Sequence, residues 1–109
     1  MTVNEMAEAL SLTPIAVSDG TREINGAYIG DLLSWVMGRA SSDNVWITIM
    51  SNINIVAVAS LVDVACILLA EDVKPDAKVI ETALQKGVNI FSTDKAAYEA
   101  AVALAALVK

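Results

Sequence analysis

The residues of this chain best suited to holding a small polar ligand are Gly26, Asp31, Asn52, Asn54, Ser92 and Thr93. Gly26 and Gly30 bracket "AYI" just before an apolar run with helical spacing. Backbone amides at such a turn and helix start can face an anion, and a plain strand-turn-helix is the alternative. Asp31 stands at that helix start, either as a ligand group or as a carboxylate facing the positive end of the helix dipole. Asn52 and Asn54 each offer a donor and an acceptor. They either read a ligand or bond to local backbone and start a helix. Ser92 and Thr93 lie between a short apolar run and a helix, where open α/β sheets bind ligands; capping that helix is their other reading.

Catalysis has little to build on. The glycine spacing is neither that of a dinucleotide fingerprint nor that of a phosphate loop, and no G-x-x-x-x-G-K-[ST] occurs. There is no histidine, and the one cysteine, Cys66, sits in the apolar run "VACILLA" with no second thiol for a zinc site or disulfide. Asp43, Asp63, Glu71, Asp72 and Asp76 fall in turns or helix starts where solvation suffices. The expectation is a non-catalytic protein with no metal or catalytic residue and no cofactor that can be named. A small nucleotide- or acyl-phosphate-binding enzyme or phosphotransfer accessory is the alternative.

Composition narrows the partners. The chain has 109 residues, 56% of them hydrophobic and 18% charged, with a net charge of −6. Its few Lys and Arg form no cluster, so nucleic acid and anionic membranes are not expected partners. The longest apolar stretch, residues 55–70, is interrupted by Ser60 and Asp63 and is too short to span a bilayer. The start "MTVNEMAEAL" lacks the basic residues of an export signal. With an unpaired cysteine as well, a soluble cytoplasmic protein is expected, one domain over residues 1–109.

The elements that must position these groups follow from periodicity and end signals. Thr2 and Glu5 form a capping box for a helix with Val3, Met6, Ala7 and Leu10 on one face. "TPIAV" reads as a strand with Pro14 at its start or on a sheet edge. Asp19-Gly20 and Asn25-Gly26 are turn pairs that tolerate positive φ. A helix carries Leu32, Leu33, Val36, Met37 and Ala40, "VWITI" is a central strand, and the following apolar run splits at Asp63 into a helix and the strand "ACILLA". "KPDAKVIETALQKG" is a helix with Pro75 at its first position, Asp76 in the first turn and Gly87 as C-cap. "VNIF" is a strand, and the last helix starts at Ser92 or Thr93, with Asp94 near its start and Lys109 at its end. Strands alternating with helices make an α/β three-layer domain with a mostly parallel central sheet and helices on both faces.

Trp35 and Trp46 read as core or interface residues, each needing an acceptor for its indole N–H. The last helix, "AAYEAAVALAALV", is apolar nearly all round, including Val102, Leu104 and Leu107. A terminal helix hides only one face in its own core, so part of it should meet another copy, giving a homodimer or higher oligomer.

The blocks "GDLLSWVM", "VWIT", "NIVAVA" and "GVNIFST", in this order over nearly the whole chain, resemble the DRTGG domain family. The resemblance implies a small α/β regulatory module like the N-terminal domain of bacterial HPr kinase/phosphorylase, of a kind also fused to CBS domains or phosphotransacetylases. The expected role is that of a module acting with a separate partner enzyme, and the helix N-termini, with their backbone donors, favour a small anionic ligand. At the pentapeptide that names the family the chain departs, reading "EINGA" over Glu23 to Ala27 and keeping one glycine, Gly26.

Overall fold

The computed structural model describes residues 1–108. Its first helix starts where Thr2 and Glu5 exchange hydrogen bonds: Thr2 Oγ1 accepts from the Glu5 N–H at 3.1 Å and Glu5 Oε1 accepts from the Thr2 N–H at 2.8 Å. The order is α1 (Val3–Ala9), β1 (Thr13–Ala16), β2 (Gly26–Ile29), α2 (Leu33–Arg39), β3 (Asn44–Thr48), α3 (Asn54–Val62), β4 (Cys66–Leu69), α4 (Ala77–Lys86), β5 (Ile90–Ser92) and α5 (Ala97–Ala105).

The five strands form one sheet in the order β1-β5-β4-β3-β2. β2, β3, β4 and β5 are mutually parallel, with Tyr28 beside Trp46, Trp46 beside Ile67 and Ile67 beside Ile90. β1 is antiparallel to β5 at the opposite edge, so Pro14 sits on an edge strand, where its missing N–H is tolerated, and a register irregularity follows it.

Side-chain alternation divides the core into two. Trp46, Ile67, Leu69 and Ile90 point to the face covered by α2, α3 and α4, with Val36, Ile55, Val79 and Ala83. Val45, Ile47, Cys66, Leu68 and Phe91 point to the face covered by α1 and α5, with Val3, Met6, Ala100 and Leu104. Both faces of β3 and β4 are therefore buried, which is why their sequences are continuously apolar. This is the expected three-layer α/β fold.

Several local expectations are corrected. "GAYI" is the edge strand β2 and not part of a turn, and Asp19, Gly20, Asn25 and Gly26 all keep negative φ. Gly87 (φ 72°) is the one glycine with positive φ among the described residues, and it ends α4 as expected. Asp76, not Pro75, starts that helix: its carboxylate accepts from the Val79 N–H at 3.1 Å, which leaves Pro75 outside. α5 begins at Ala97 with no side-chain cap, because Ser92 is still in β5 and Thr93 bonds only as far as Lys95. Lys109 lies outside the described residues. Trp46 is fully buried and donates its indole N–H to the Gly30 carbonyl at 2.9 Å, whereas Trp35 is half exposed beneath the Arg39 guanidinium, 3.7 Å from the ring centre.

Candidate functional site

All four parallel strands end at one edge of the sheet, and the loops after them gather most of the candidate residues. At the end of β2 the chain passes Gly30, where a Cβ would lie 2.9 Å from the Tyr28 ring, so glycine lets the turn close over that tyrosine. Asp31 follows, and its Oδ1 accepts from the Thr48 hydroxyl at 2.7 Å and from the Ile49 N–H at 3.0 Å. Thr48 Oγ1 in turn accepts from the Met50 N–H at 3.2 Å. Asp31 thus ties the β2–α2 turn to the end of β3 before any ligand is considered.

Asn52 Oδ1 accepts from the Asn54 N–H at 2.9 Å, the local backbone bond that competes with a ligand role. The Asn54 carboxamide makes no hydrogen bond to a described residue and is exposed on the first turn of α3. Ile29, Leu32, Trp35 and Ile49 are each about half exposed around this edge. The surface is therefore apolar with polar groups set into it.

Ser92 and Thr93 lie at the end of β5, two strands from β3 and so roughly 10 Å across the sheet. Ser92 is buried, and its hydroxyl has no hydrogen-bond partner among the described residues. A buried hydroxyl without a partner costs free energy, which makes it conspicuous. The loop after β4 leaves toward α4 on one face and the loop after β5 toward α5 on the other, the divergence that opens a ligand crevice in α/β sheets. Here the two loops are laced together: the Glu71 N–H donates to the Lys95 carbonyl and the Asp72 N–H to the Thr93 carbonyl, each at 2.8 Å. Glu71 (φ 60°) and Asp72 (φ 58°) are both left-handed, a strained conformation for residues other than glycine.

Gly26 stands apart. It is the first residue of β2, paired with Asn44, and lies at the other end of that strand, roughly 13 Å from the Asp31 turn. Around it are Ala27, Ala101 and Leu104, under α5. That opposite edge is closed by Arg22, whose guanidinium reaches Asp43 Oδ1 at 2.8 Å, Asp63 Oδ1 at 3.0 Å and the Asp63 carbonyl. The structure therefore brings Asp31, Asn52, Asn54, Ser92 and Thr93 to one edge and Gly26 to the other.

Sequence reading missed Thr48, Glu71, Asp72 and Asn89. Thr48 was marked only by a polar residue ending an apolar strand, and nothing local marks Glu71 or Asp72 as left-handed. Asn89 is buried with its carboxamide fully used: Oδ1 accepts from the Ser18 and Asp19 N–H groups, and Nδ2 donates to the Asp19 and Ala65 carbonyls. Among the described residues no three His, Cys, Asp or Glu side chains cluster to hold a metal ion. Among the described residues no helix is long and apolar enough to cross a membrane. Burial pushes the Cys66 thiol up to about 12.

A fold like this one occurs in the CBS and DRTGG domains of the regulatory region of Clostridium perfringens pyrophosphatase, determined in complex with the activator diadenosine tetraphosphate. The TM-score is 0.74 at 13% sequence identity, covering 94% of this chain and 45% of that one. The chain thus spans less than half the length of that regulatory region. No curated protein matches the sequence significantly. The family model for the DRTGG domain matches residues 21–107, from the Arg22 clasp through the three strand-helix crossovers to α5, and on that match the chain belongs to the DRTGG domain family.

Proposed function

We propose that this chain is a non-catalytic regulatory or ligand-sensing module, a single DRTGG domain over residues 1–109, that self-associates and acts in the cytoplasm with a separate partner protein. The observation that carries this reading is the family match over residues 21–107, joined to a fold shared with the regulatory region of a pyrophosphatase. The ligand is a small anionic molecule, and nucleotides head the candidates because that regulatory region was determined with a dinucleoside tetraphosphate.

The loops after the parallel strands supply the site. Asp31, Asn52 and Asn54 stand beside exposed Leu32 and Ile49, an apolar surface for a base edged by donors and acceptors. Ser92 and Thr93 lie at the crevice between the diverging loops, where the strained Glu71-Asp72 pair is the element a ligand can reset. Gly26, at the far end of β2, is left out of this site.

Thermal unfolding tests the reading. A panel of inorganic phosphate, acetyl phosphate, mononucleotides and dinucleoside polyphosphates should contain a compound that raises the melting temperature as its concentration passes Kd. Asn54→Ala should weaken that compound by roughly 0.5–1.5 kcal/mol, one ordinary hydrogen bond. No stabilising compound would overturn the sensing reading. Turnover of a stabilising compound by the purified chain would replace it with that of a small nucleotide- or acyl-phosphate-binding enzyme.

A further inference from the structure

Between α3 and α4, on the face away from α5, runs a groove of about 440 Å³. Both helices return from the ends of parallel strands and so run side by side in one direction. The α3 wall is Ile53, Ala57 and Leu61, on one stripe, with Val56 as the floor and the polar Asn54 and Ser60 beside them; Leu61 is 73% exposed and Ile53 42%. The nine residues of α3 include no charged side chain. The α4 wall is Thr82 and Lys86, and Lys78 lies one turn before Thr82 on the same stripe. Both lysines are exposed, and neither pairs with a carboxylate among the described residues. In a chain of net charge −6 this is an apolar trough with a cationic rim.

We infer that this groove docks an acidic amphipathic helix of the partner protein, an inference that rests on the reading of the chain as a module acting with a separate partner. Charge complementarity selects the occupant. The one charged side chain lining the groove is Lys86, with Lys78 two turns before it on the same stripe, so carboxylates are attracted by the rim although the chain as a whole repels them. Spacing agrees: Ile53 to Leu61 and Lys78 to Lys86 are each eight residues, about 12 Å or two helical turns. A helix with apolar residues at i, i+4 and i+7 and carboxylates two turns apart on one flank meets both walls at once. A second copy fits poorly, because its exposed helix α5 lies on the opposite face of the sheet. Such a head-to-tail contact would build a ring or an open filament and not a two-fold dimer.

The probe is a synthetic helical peptide with leucines at i, i+4 and i+7 and glutamates two turns apart, titrated while backbone amide resonances are followed. Saturable shifts confined to α3 and α4 are expected, and salt should weaken them. Lys86→Glu and Leu61→Glu should each reduce affinity about tenfold or more, with only a small fall in melting temperature, since both side chains are exposed and the new carboxylate sits in the last turn of its helix. Exchanging the peptide glutamates for lysines should abolish binding to the wild type and restore it to Lys86→Glu. Equal binding of acidic and basic peptides, or binding indifferent to both substitutions, would overturn the groove. So would a partner captured from cells equally by wild type and a chain carrying both Lys86→Glu and Leu61→Glu, although that outcome leaves the partner reading intact. A wild-type chain that captures no partner counts against that reading, while the peptide titration still judges the groove by itself.

Discussion

Asp31 and Thr48 are joined by a hydrogen bond of 2.7 Å in which the threonine hydroxyl at the end of β3 donates to the carboxylate after β2. The same carboxylate oxygen holds the Ile49 N–H. A residue that looked like a ligand group or a dipole partner is thus a clamp between the first two parallel strands. Replacing it by alanine strands the hydroxyl of a buried threonine and a backbone N–H. Asp31→Ala should lower unfolding free energy by about 1–3 kcal/mol in denaturant titration, and Asp31→Asn, which keeps an acceptor, by less.

Ser92→Ala separates stability from binding. Its hydroxyl is buried without a partner, so removing it should leave the melting temperature of the free protein unchanged or slightly raised. If the crevice holds the ligand, the stabilisation given by a compound found in the screen should shrink in this variant. A large drop in melting temperature without ligand would show the hydroxyl to be structurally engaged.

Asn89 fastens the loop after β1 to β5 across about 70 residues of chain, with all four of its hydrogen bonds made to backbone. Asn89→Ala leaves several of those groups unpaired in a buried place. The expected loss is roughly 2–4 kcal/mol, with faster amide exchange at Ser18 and Asp19 as the local signature.

Cys66 should be silent in the folded protein and visible in its pH dependence. Its thiol is wholly buried, and burial moves its pKa from 9.0 to about 12. Because the folded value lies above the unfolded one, the stability this group contributes is complete below pH 9.0 and is lost as pH rises toward 12. Thiol reagents should label it only on unfolding, and Cys66→Ala should flatten that part of the stability profile relative to wild type.

Self-association should use the outer face of α5. Leu104 belongs to the core and Leu107 is half-buried, but Tyr98 is 78% and Val102 53% exposed, one turn apart. Light scattering at micromolar concentration should give a mass above that of the 11.5 kDa chain. Tyr98→Lys with Val102→Lys should return the monomer without lowering the melting temperature by more than a surface change does.

Elements whose signals are local were legible along the chain before any folding. Thr2 with Glu5, and Gly87, each act within a few residues, so the start of α1 and the end of α4 were legible as chemistry, whereas the Asp76 cap displaced the expected Pro75 start. The continuous apolar run of β3 announced a strand covered on both faces, and alternation of strands with helices indicated the three-layer class. Only the tertiary structure decided the rest. "GAYI" has neither a strong strand composition nor a period, and becomes β2 because β3 offers it a parallel edge. Once it does, its length separates Gly26 from Asp31, which are five positions apart in sequence but lie at opposite ends of the parallel strands. Ser92 was legible as a helix start, yet pairing with Leu69 and Thr13 holds it in β5. The Arg22 clasp on Asp43 and Asp63 and the Asn89 lock join residues some 20 to 70 positions apart. Such bonds form only after the sheet has brought distant segments together, and no local propensity encodes which donor will meet which acceptor.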